Sequence, residues 1–279
     1  MKKLFLLAGL AIGLMVNAQV LEVVSVQPVA TPAGDVKVAG IAPDGSYILL
    51  TSSTNQGLQK YDLQSGETTT LSDAEGAGYN AAISADGAKV TYREVSLGQN
   101  NMRMQAMKSM NLGTKKVQTE VAPTRSARKI ALGGRAVAVR PTCSIENQQL
   151  MVTIGSTTTQ ISPLGTNKSY IWPSVSPNGQ KVLFYVAGMG AFVSNLDGSN
   201  VISLGRNVRA PKWYNDNIVI GMNDKDNGEV VISSEIVAVN LNGQSQVLTS
   251  GIDAMYPYAC SGKIVCSGLN GETYLINVR

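Results

Sequence analysis

The sequence contains no histidine, few aromatic residues and only three cysteines. Without histidine, the Ser-His-Asp and Cys-His catalytic arrangements, histidine acid–base catalysis and histidine metal ligation are all excluded. Paired carboxylates could still act, as in glycoside hydrolysis, but the acidic residues are thinly scattered along the chain. The sequence also lacks a phosphate-binding glycine loop and an arginine–aromatic nucleic-acid patch. We therefore assign no catalytic residue, and expect no cofactor and no nucleic-acid partner.

Long apolar runs are equally scarce, and the prominent one lies at the N-terminus. Met1–Lys3 is basic, Leu4–Met15 is apolar and Val16–Ala18 offers a small-residue cleavage site, which is typical of a secretory signal peptide. A membrane anchor is the competing interpretation, but about a dozen apolar residues fall short of the ~20 that span a bilayer. Gln19, rather than a cysteine, follows the expected cleavage point, which argues against a lipoprotein. The sequence predicts a signal peptide over residues 1–18 and an exported, periplasmic or secreted protein whose mature chain has no transmembrane segment.

The three cysteines are an odd number for an exported chain. Cys260 and Cys266 lie on opposite arms of one expected hairpin around Gly262, so a cross-strand disulfide is conceivable. Disulfide geometry is strict, and the register of these two residues looks offset, so we favour buried free thiols. Scattered cysteines without histidine do not suggest a metal site.

Basic and acidic side chains nearly balance, at 23 and 19, but the basic ones cluster between Arg93 and Arg140. Ten basic residues in this region stand against Glu94 and Glu120: Arg93, Arg103, Lys108, Lys115, Lys116, Arg125, Arg128, Lys129, Arg135 and Arg140. Such asymmetry can mark a surface for an acidic partner, although a solvated face is the simpler interpretation. The four methionines of Met102–Met110 suit core filling better than an adaptable binding surface.

What the sequence does contain is a repeated turn-and-strand unit. Its clearest copy is Ile171–Tyr185, in which a Pro-Asn-Gly turn joins two apolar strands and supplies the positive φ angles of a tight hairpin. Further copies surround Asp44-Gly45 and Asp86-Gly87. Weaker copies are Lys129–Arg135, Pro211–Asp216 and Pro257–Gly262. The spacing is near the ~40–45 residues of a propeller blade and gives about six units.

A second turn follows later in three of the units, at Tyr61–Gly66, Ser194–Gly198 and Val239–Gly243. Each unit therefore holds four short strands and no helix. A four-stranded antiparallel sheet repeated around an axis is a β-propeller. The two turns resemble the TolB-type, WD40-like propeller repeat, with the best match at Ser176–Gly179 and Asn195–Gly198. The resemblance covers about residues 36–279.

The TolB resemblance implies a propeller fold and a protein partner, such as an envelope lipoprotein held at the mouth of the channel. The repeat motif itself specifies the fold and not an activity, because function lies in loops carried by the scaffold.

We predict an all-β protein of about six four-stranded antiparallel blades, forming a single domain over residues 19–279. Tyr274–Arg279 aligns with a third strand, Ile236–Leu241, so the last blade lacks its outer strand. Val20–Val26 is an otherwise unassigned β-rich segment. We expect this segment to supply the missing strand and close the ring, which removes exposed sheet edges.

Candidate binding residues lie where the first strand of each blade enters the channel. These residues are Tyr79, Asn80, Lys129, Tyr170, Trp172, Arg209 and Tyr256. Trp, Tyr and Arg are frequent interface anchors, but Trp172 and Tyr256 could equally pack between blades. Asp224, Asp226 and Glu229 form a weak calcium candidate, for which a solvated turn is the simpler interpretation.

From these features we expect a monomeric, exported, non-catalytic binding or scaffold propeller that mediates protein–protein interaction in the bacterial cell envelope. The alternative is a carbohydrate- or peptide-binding propeller with a carboxylate-based hydrolase or lyase activity.

Overall fold

The computed structural model describes residues 19–125 and 140–279, which form six antiparallel sheets arranged as a propeller. The first strand is β1 (Val23–Val29). Blade I is β2 (Lys37–Ile41), β3 (Tyr47–Thr51), β4 (Leu58–Asp62) and β5 (Thr68–Ser72). Blade II is β6 (Ala82–Ile83), β7 (Lys89–Leu97), β8 (Arg103–Asn111) and β9 (Val117–Thr124). The described strands of blade III are β10 (Thr142–Glu146), β11 (Gln149–Ile154) and β12 (Thr157–Gln160).

The remaining strands complete the ring. Blade IV is β13 (Tyr170–Val175), β14 (Lys181–Val186), β15 (Gly190–Asn195) and β16 (Ile202–Gly205). Blade V is β17 (Arg209–Trp213), β18 (Ile218–Asp226), β19 (Val231–Asn240) and β20 (Ser245–Val247). Blade VI is β21 (Ala254–Cys260), β22 (Lys263–Gly268) and β23 (Thr273–Val278), with β1 outermost. A single 3-10 turn, Gln99–Asn101, is the only helical element in the described residues. No helix among them is both long and apolar enough to cross a membrane.

The predicted fold class is confirmed, and so is closure by the N-terminal strand. β1 pairs antiparallel with β23, from Val23 opposite Val278 to Val29 opposite Thr273. Just before β1, the amide of Gln246 in blade V accepts hydrogen bonds from two backbone N–H groups, of Val20 and Leu21. The N-terminal segment therefore joins blade VI to blade V, and the outer edge of the last blade is covered.

Apolar side chains pack between neighbouring blades rather than within one blade. Five clusters of buried residues join blades I and II, III and IV, IV and V, V and VI, and VI and I. In the cluster between blades III and IV, the ring of Phe184 stacks on Phe192 with centroids 5.9 Å apart. Since every strand alternates its side chains between two faces, a blade can supply apolar residues to both neighbours, as blades I, IV, V and VI do.

The repeated turns have the same hydrogen bonds in each clear copy. Ser84 and Ser176 each donate a backbone N–H to the carbonyl five residues later, on Lys89 and Lys181. The glycine of the turn has φ near 70° in both copies, a conformation that a side chain would disfavour. These contacts explain why an Asp/Asn-Gly pair stands where the first strand turns into the second in blades I, II and IV. The weak copy at Lys129–Arg135 lies outside the described residues.

Four turn aspartates make the stability of the protein sensitive to acid. The backbone N–H of Ser46 lowers the pKa of Asp44, that of Ser65 lowers the pKa of Asp62, and the hydroxyls of Ser84 and Ser199 lower the pKa values of Asp86 and Asp197. Because the folded pKa values lie below the unfolded ones, the stabilisation is complete above about pH 4. It is lost as the pH falls through the folded values.

We therefore expect a fourfold Asp→Asn variant at these positions to show a flatter dependence of unfolding free energy on pH between about 5 and 2. Asparagine keeps the turn, as Asn178 does in blade IV, where its side-chain oxygen accepts the Gln180 N–H. Urea denaturation at a series of pH values measures the effect. An unchanged acid dependence in the variant would contradict this assignment.

The cysteine expectation is borne out, and the methionine expectation holds for two of the four residues, since Met102 is exposed and Met104 is half-buried. Cys260 and Cys266 are buried free thiols, and Cys260 lies opposite Lys263 in the β21–β22 register, so the two cysteines do not face each other. Burial raises the pKa of the Cys266 thiol to about 12. In the methionine-rich strand β8, Met107 and Met110 are buried.

Candidate binding site

One end of the ring gathers the loops that are free to bind a partner. Because each blade is an up-and-down meander, the first strand begins, the second strand turns into the third and the fourth strand ends on the same side. In a propeller these ends surround one opening of the channel. We call this side the entry face. Lys37, at the start of β2, places its Nζ 5.4 Å from the ring centroid of Tyr256 in β21, which links blades I and VI across this face.

The first strands of blades IV, V and VI carry the same β-bulge on the entry face. Register shifts interrupt the pairing of β13 with β14, β17 with β18 and β21 with β22. Within each bulge one residue has a positive φ, 52° at Trp172, 47° at Ala210 and 54° at Tyr256. Proline follows each of them and fits the unpaired position because it has no N–H to donate. In blade II the equivalent residue, six before the turn aspartate, is Asn80 with φ 55°.

These backbone conformations are costly for residues with a side chain. A positive φ costs a non-glycine residue about 1–2 kcal/mol, and the same cost is repeated in four blades. Strain of this kind persists where the surrounding structure enforces it, and it is concentrated at functional sites. Bulges also redirect the side chain that they carry. The recurrence at one level of the ring therefore marks Asn80, Trp172, Ala210 and Tyr256 as a set.

The strain can be tested at Ala210, where only a methyl group is involved. We expect Ala210→Gly to raise the free energy of unfolding by about 0.5–1 kcal/mol, since relief of the positive φ exceeds the extra entropy of glycine in the unfolded chain. Ala191, a buried residue of β15 without a positive φ, is the control. Ala191→Gly should destabilise the protein by about 1 kcal/mol or more. Urea denaturation of both variants measures these changes in the free energy of unfolding. Destabilisation of equal size in both would contradict backbone strain at Ala210.

Two of the predicted aromatic residues are exposed at these bulges. The side chain of Trp172 is 40% exposed and that of Tyr256 is 41% exposed. Trp172 makes an edge contact with Tyr185, with ring centroids 5.2 Å apart. The exposure is consistent with contact surface rather than with packing between blades, and the neighbouring groups hold the rings in place.

Tyr79 and Arg93 form a second aromatic contact on the entry face. The guanidinium carbon of Arg93 lies 4.9 Å from the ring centroid of exposed Tyr79. Both residues line a small cleft between blades I and II, of about 100 Å³, together with Thr54, Asn55, Glu75, Gly76, Val95, Arg103 and Gln105. Tyr79 was predicted from the sequence, and Arg93 was not singled out as a site residue.

Arg209 is fixed by a carboxylate that had been a calcium candidate. Its Nη1 lies 2.7 Å from Oδ2 of Asp224, whose side chain is only 5% exposed. The other oxygen of Asp224 accepts the hydroxyl of Ser234 at 2.6 Å. Asp226 accepts the backbone N–H of Gly228 in the following turn. Within residues 19–125 and 140–279 no group of three or more acidic or cysteine side chains, Glu229 included, is placed to hold a metal ion.

Tyr170 does not belong to the exposed set. Its side chain is completely buried and packs on Phe184, with ring centroids 5.6 Å apart. Its hydroxyl accepts the backbone N–H of Leu164 at 2.8 Å and donates to the carbonyl of Gly165 at 3.2 Å. We therefore interpret Tyr170 as a core residue that anchors the loop before β13. Lys129, the remaining predicted site residue, lies outside the described residues.

Lys37 and Ala210 also lie at the entry face, and neither was predicted from the sequence as a site residue. Lys37 donates a hydrogen bond to the carbonyl of Ser53 at 3.0 Å, and burial lowers the pKa of its amine, partly opposed by the Asp35 carboxylate. Nothing local in the sequence indicates the contact of Lys37 with Tyr256, which joins the two ends of the chain. Ala210 could have been found by counting six residues back from each turn marker and noting the proline that follows.

Sequence comparison gives no relatives: no family model matches the chain, and no curated protein does. Comparison with solved structures does find similar proteins. A putative TolB from Agrobacterium tumefaciens aligns over 88% of this chain and 90% of its own, with a TM-score of 0.52 and 15% identity. A Bacteroides thetaiotaomicron protein of unknown function aligns over 91% and 76%, with a TM-score of 0.54 and 11% identity.

The fold is that of a TolB-like propeller. The acylaminoacyl peptidase of Pyrococcus horikoshii is also similar, with a TM-score of 0.50 and 12% identity over 88% of this chain, but over only 45% of the peptidase. At these identities the TolB-like fold is shared and the activity is not established by the likeness.

Proposed function

We propose that this TolB-like propeller is a non-catalytic binding module that holds a protein partner on its entry face. The observation that carries the proposal is the positive φ repeated at one level of four blades, in the bulges at Trp172, Ala210 and Tyr256 and in the loop before β6 at Asn80. Exposed tryptophan and tyrosine provide large contact area with a polar group, and such residues dominate binding energy at interfaces. The energetic cost of the bulges is explained if their side chains make contacts that a relaxed strand would not.

The same proposal includes the setting of the protein. Residues 1–18 act as a signal peptide, residues 19–279 form one monomeric domain, and the mature protein works in the periplasm or outside the cell. The partner is a protein of the bacterial envelope, the class that the TolB resemblance implies.

The carboxylates described on the entry face favour binding over acid–base chemistry. Glu75 is paired with Arg103 at 2.7 Å and Asp224 is paired with Arg209 at the same distance. Each of these two carboxylates is therefore already engaged by an arginine. We place binding first, with a carbohydrate- or peptide-binding propeller of carboxylate-based hydrolase or lyase activity as the alternative.

Affinity capture from envelope extract tests the proposal, with the purified protein as bait. We expect Trp172→Ala to lose the enriched partner, and Val201→Ala, an exposed apolar residue in the turn between β15 and β16 on the opposite side of the ring, to retain it. Equal capture by both variants would refute binding on the entry face. Arg209 is a less suitable target, because its removal leaves the nearly buried Asp224 carboxylate without its cation and destabilises the fold.

A further inference from the structure

The cleft between blades I and II has the chemistry of a carboxylate-binding pocket. Arg93 and Arg103 both line it, with the hydroxyl of Thr54 and the amides of Asn55 and Gln105. Its volume of about 100 Å³ is small, which suits a single polar group such as a carboxylate.

Arg93 has donor capacity that the fold does not use. Its buried Nε has no hydrogen-bond partner among the described residues, and its guanidinium carbon lies over the ring of Tyr79, 4.9 Å from the ring centroid. A buried donor without a partner is costly, and a guanidinium held over an aromatic ring keeps its fork of N–H groups oriented for a planar acceptor. An entering carboxylate would accept these hydrogen bonds.

Glu75 already places a carboxylate against one of the two arginines of the cleft. Its side chain pairs with Arg103 at 2.7 Å, and the two side chains are 57% and 62% exposed. Exposed ion pairs contribute little to stability, so a carboxylate from outside can displace Glu75 at small cost. Gly76, with φ 77°, brings this loop against the β7–β8 hairpin, since a Cβ there would lie 2.9 Å from Val95.

The hairpin continues the cleft outward as an apolar strip. Arg93, Val95 and Leu97 alternate along β7 and so share one face. In the β7–β8 register Val95 lies opposite Gln105 and Leu97 opposite Arg103. Leu97 is 70% exposed. A ligand whose carboxylate enters the cleft would therefore place its next group on Leu97.

We propose that this cleft binds an acidic side chain of a partner protein, with an adjacent apolar side chain of the partner on Leu97. The apolar neighbour favours a peptide over an acidic sugar, which would leave Leu97 against hydroxyl groups. This inference rests on the proposed function, and it adds the partner's chemistry: a surface segment in which Asp or Glu stands next to an aliphatic residue.

Fluorescence anisotropy with a labelled Gly-Leu-Glu-Leu-Gly peptide tests the proposal on the purified protein. We expect the peptide with Gln in place of Glu to bind about tenfold more weakly, as for the loss of a charge-assisted hydrogen bond. Arg93→Gln should weaken binding of the Glu peptide by the same factor, and Arg103→Gln, which removes an exposed arginine, by about two- to threefold. The charge-matched control is Lys116→Gln, in the turn between β8 and β9 on the opposite side of the ring, and it should bind as the native protein does.

Glu75→Gln gives the sharpest result, because it should increase affinity about threefold by removing the competing carboxylate. A gain in affinity cannot come from misfolding. Equal binding of the Glu and Gln peptides, no effect of either arginine variant, or binding of a uronic-acid disaccharide in place of the peptide would each overturn the proposal. If Trp172→Ala loses the envelope partner while Arg93→Gln keeps it, the proposed function stands and this inference fails.

Discussion

Removal of residues 19–29 is expected to abolish cooperative folding. These residues contain β1, which is the outer strand of blade VI through its pairing with β23, and the segment before it, which is bonded to Gln246 of blade V. The deletion would expose the edge of β23 and open the apolar cluster between blades V and VI, to which Leu21, Val23 and Val26 contribute. Because a domain of this kind is stable by only about 5–15 kcal/mol, we expect an aggregated or unfolded product.

Point substitutions in the same segment allow the effect to be measured on a folded protein. Leu21 is buried against the cluster between blades V and VI, so Leu21→Ala should lower the free energy of unfolding by about 2–4 kcal/mol. Val24 lies in β1, three residues further along, with its side chain exposed. Val24→Ala should change stability by less than about 0.5 kcal/mol. Denaturant unfolding measures both. Equal effects of the two substitutions, or a deletion variant with an unchanged melting temperature, would show that the N-terminal strand does not close the ring.

The double variant Trp172→Gly/Tyr256→Gly is expected to lose partner binding with only a moderate loss of stability. Each change removes a ring contact worth about 0.5–1.5 kcal/mol, with Tyr185 or with Lys37. Each also relieves a positive φ worth about 1–2 kcal/mol. Each glycine also adds about 0.5–1 kcal/mol of unfolded-chain entropy, so the net loss of unfolding free energy should be smaller than for removal of a fully buried ring, while capture of the partner falls at least tenfold.

The control for this variant is Tyr170, a tyrosine of the same strand as Trp172 whose ring is buried rather than exposed. Tyr170 is completely buried, and Tyr170→Ala should cost about 3–5 kcal/mol. Circular dichroism with urea denaturation gives the stabilities, and quantitative capture gives the binding. If the glycine double variant were as unstable as Tyr170→Ala, the two exposed rings would be structural and the entry-face site would be wrong.

The blades could be predicted from the sequence because their chemistry is local. An Asp-Gly or Asn-Gly pair requires a tight turn wherever it stands, and the turns at Gly87 and Gly179 have the expected positive φ. Ring closure by the N-terminal strand could also be predicted, since the last blade was one strand short and one β-rich segment was unassigned. In the structure β1 pairs with β23 and so supplies the missing outer strand of blade VI.

The site could be predicted only in part, because contacts between blades leave no local pattern. Tyr170 and Trp172 are two residues apart in the same strand, yet one is fully buried and the other 40% exposed. The bulge between them shifts the register and separates their environments. Likewise, the pairing of Lys37 with Tyr256 depends on closure of the ring, and the pairing of Arg93 with Tyr79 depends on how blade I meets blade II.

The central claim is that a protein partner binds the entry face, and hydrogen–deuterium exchange of the protein with its captured partner tests it most directly. We predict slower exchange on binding at residues 79–80, 171–174, 209–212 and 255–258, where the exposed bulges lie. The turns on the opposite side of the ring, at residues 44–46, 86–88 and 178–180, should exchange as in the free protein. Protection of those turns with no change at the bulges would contradict the account.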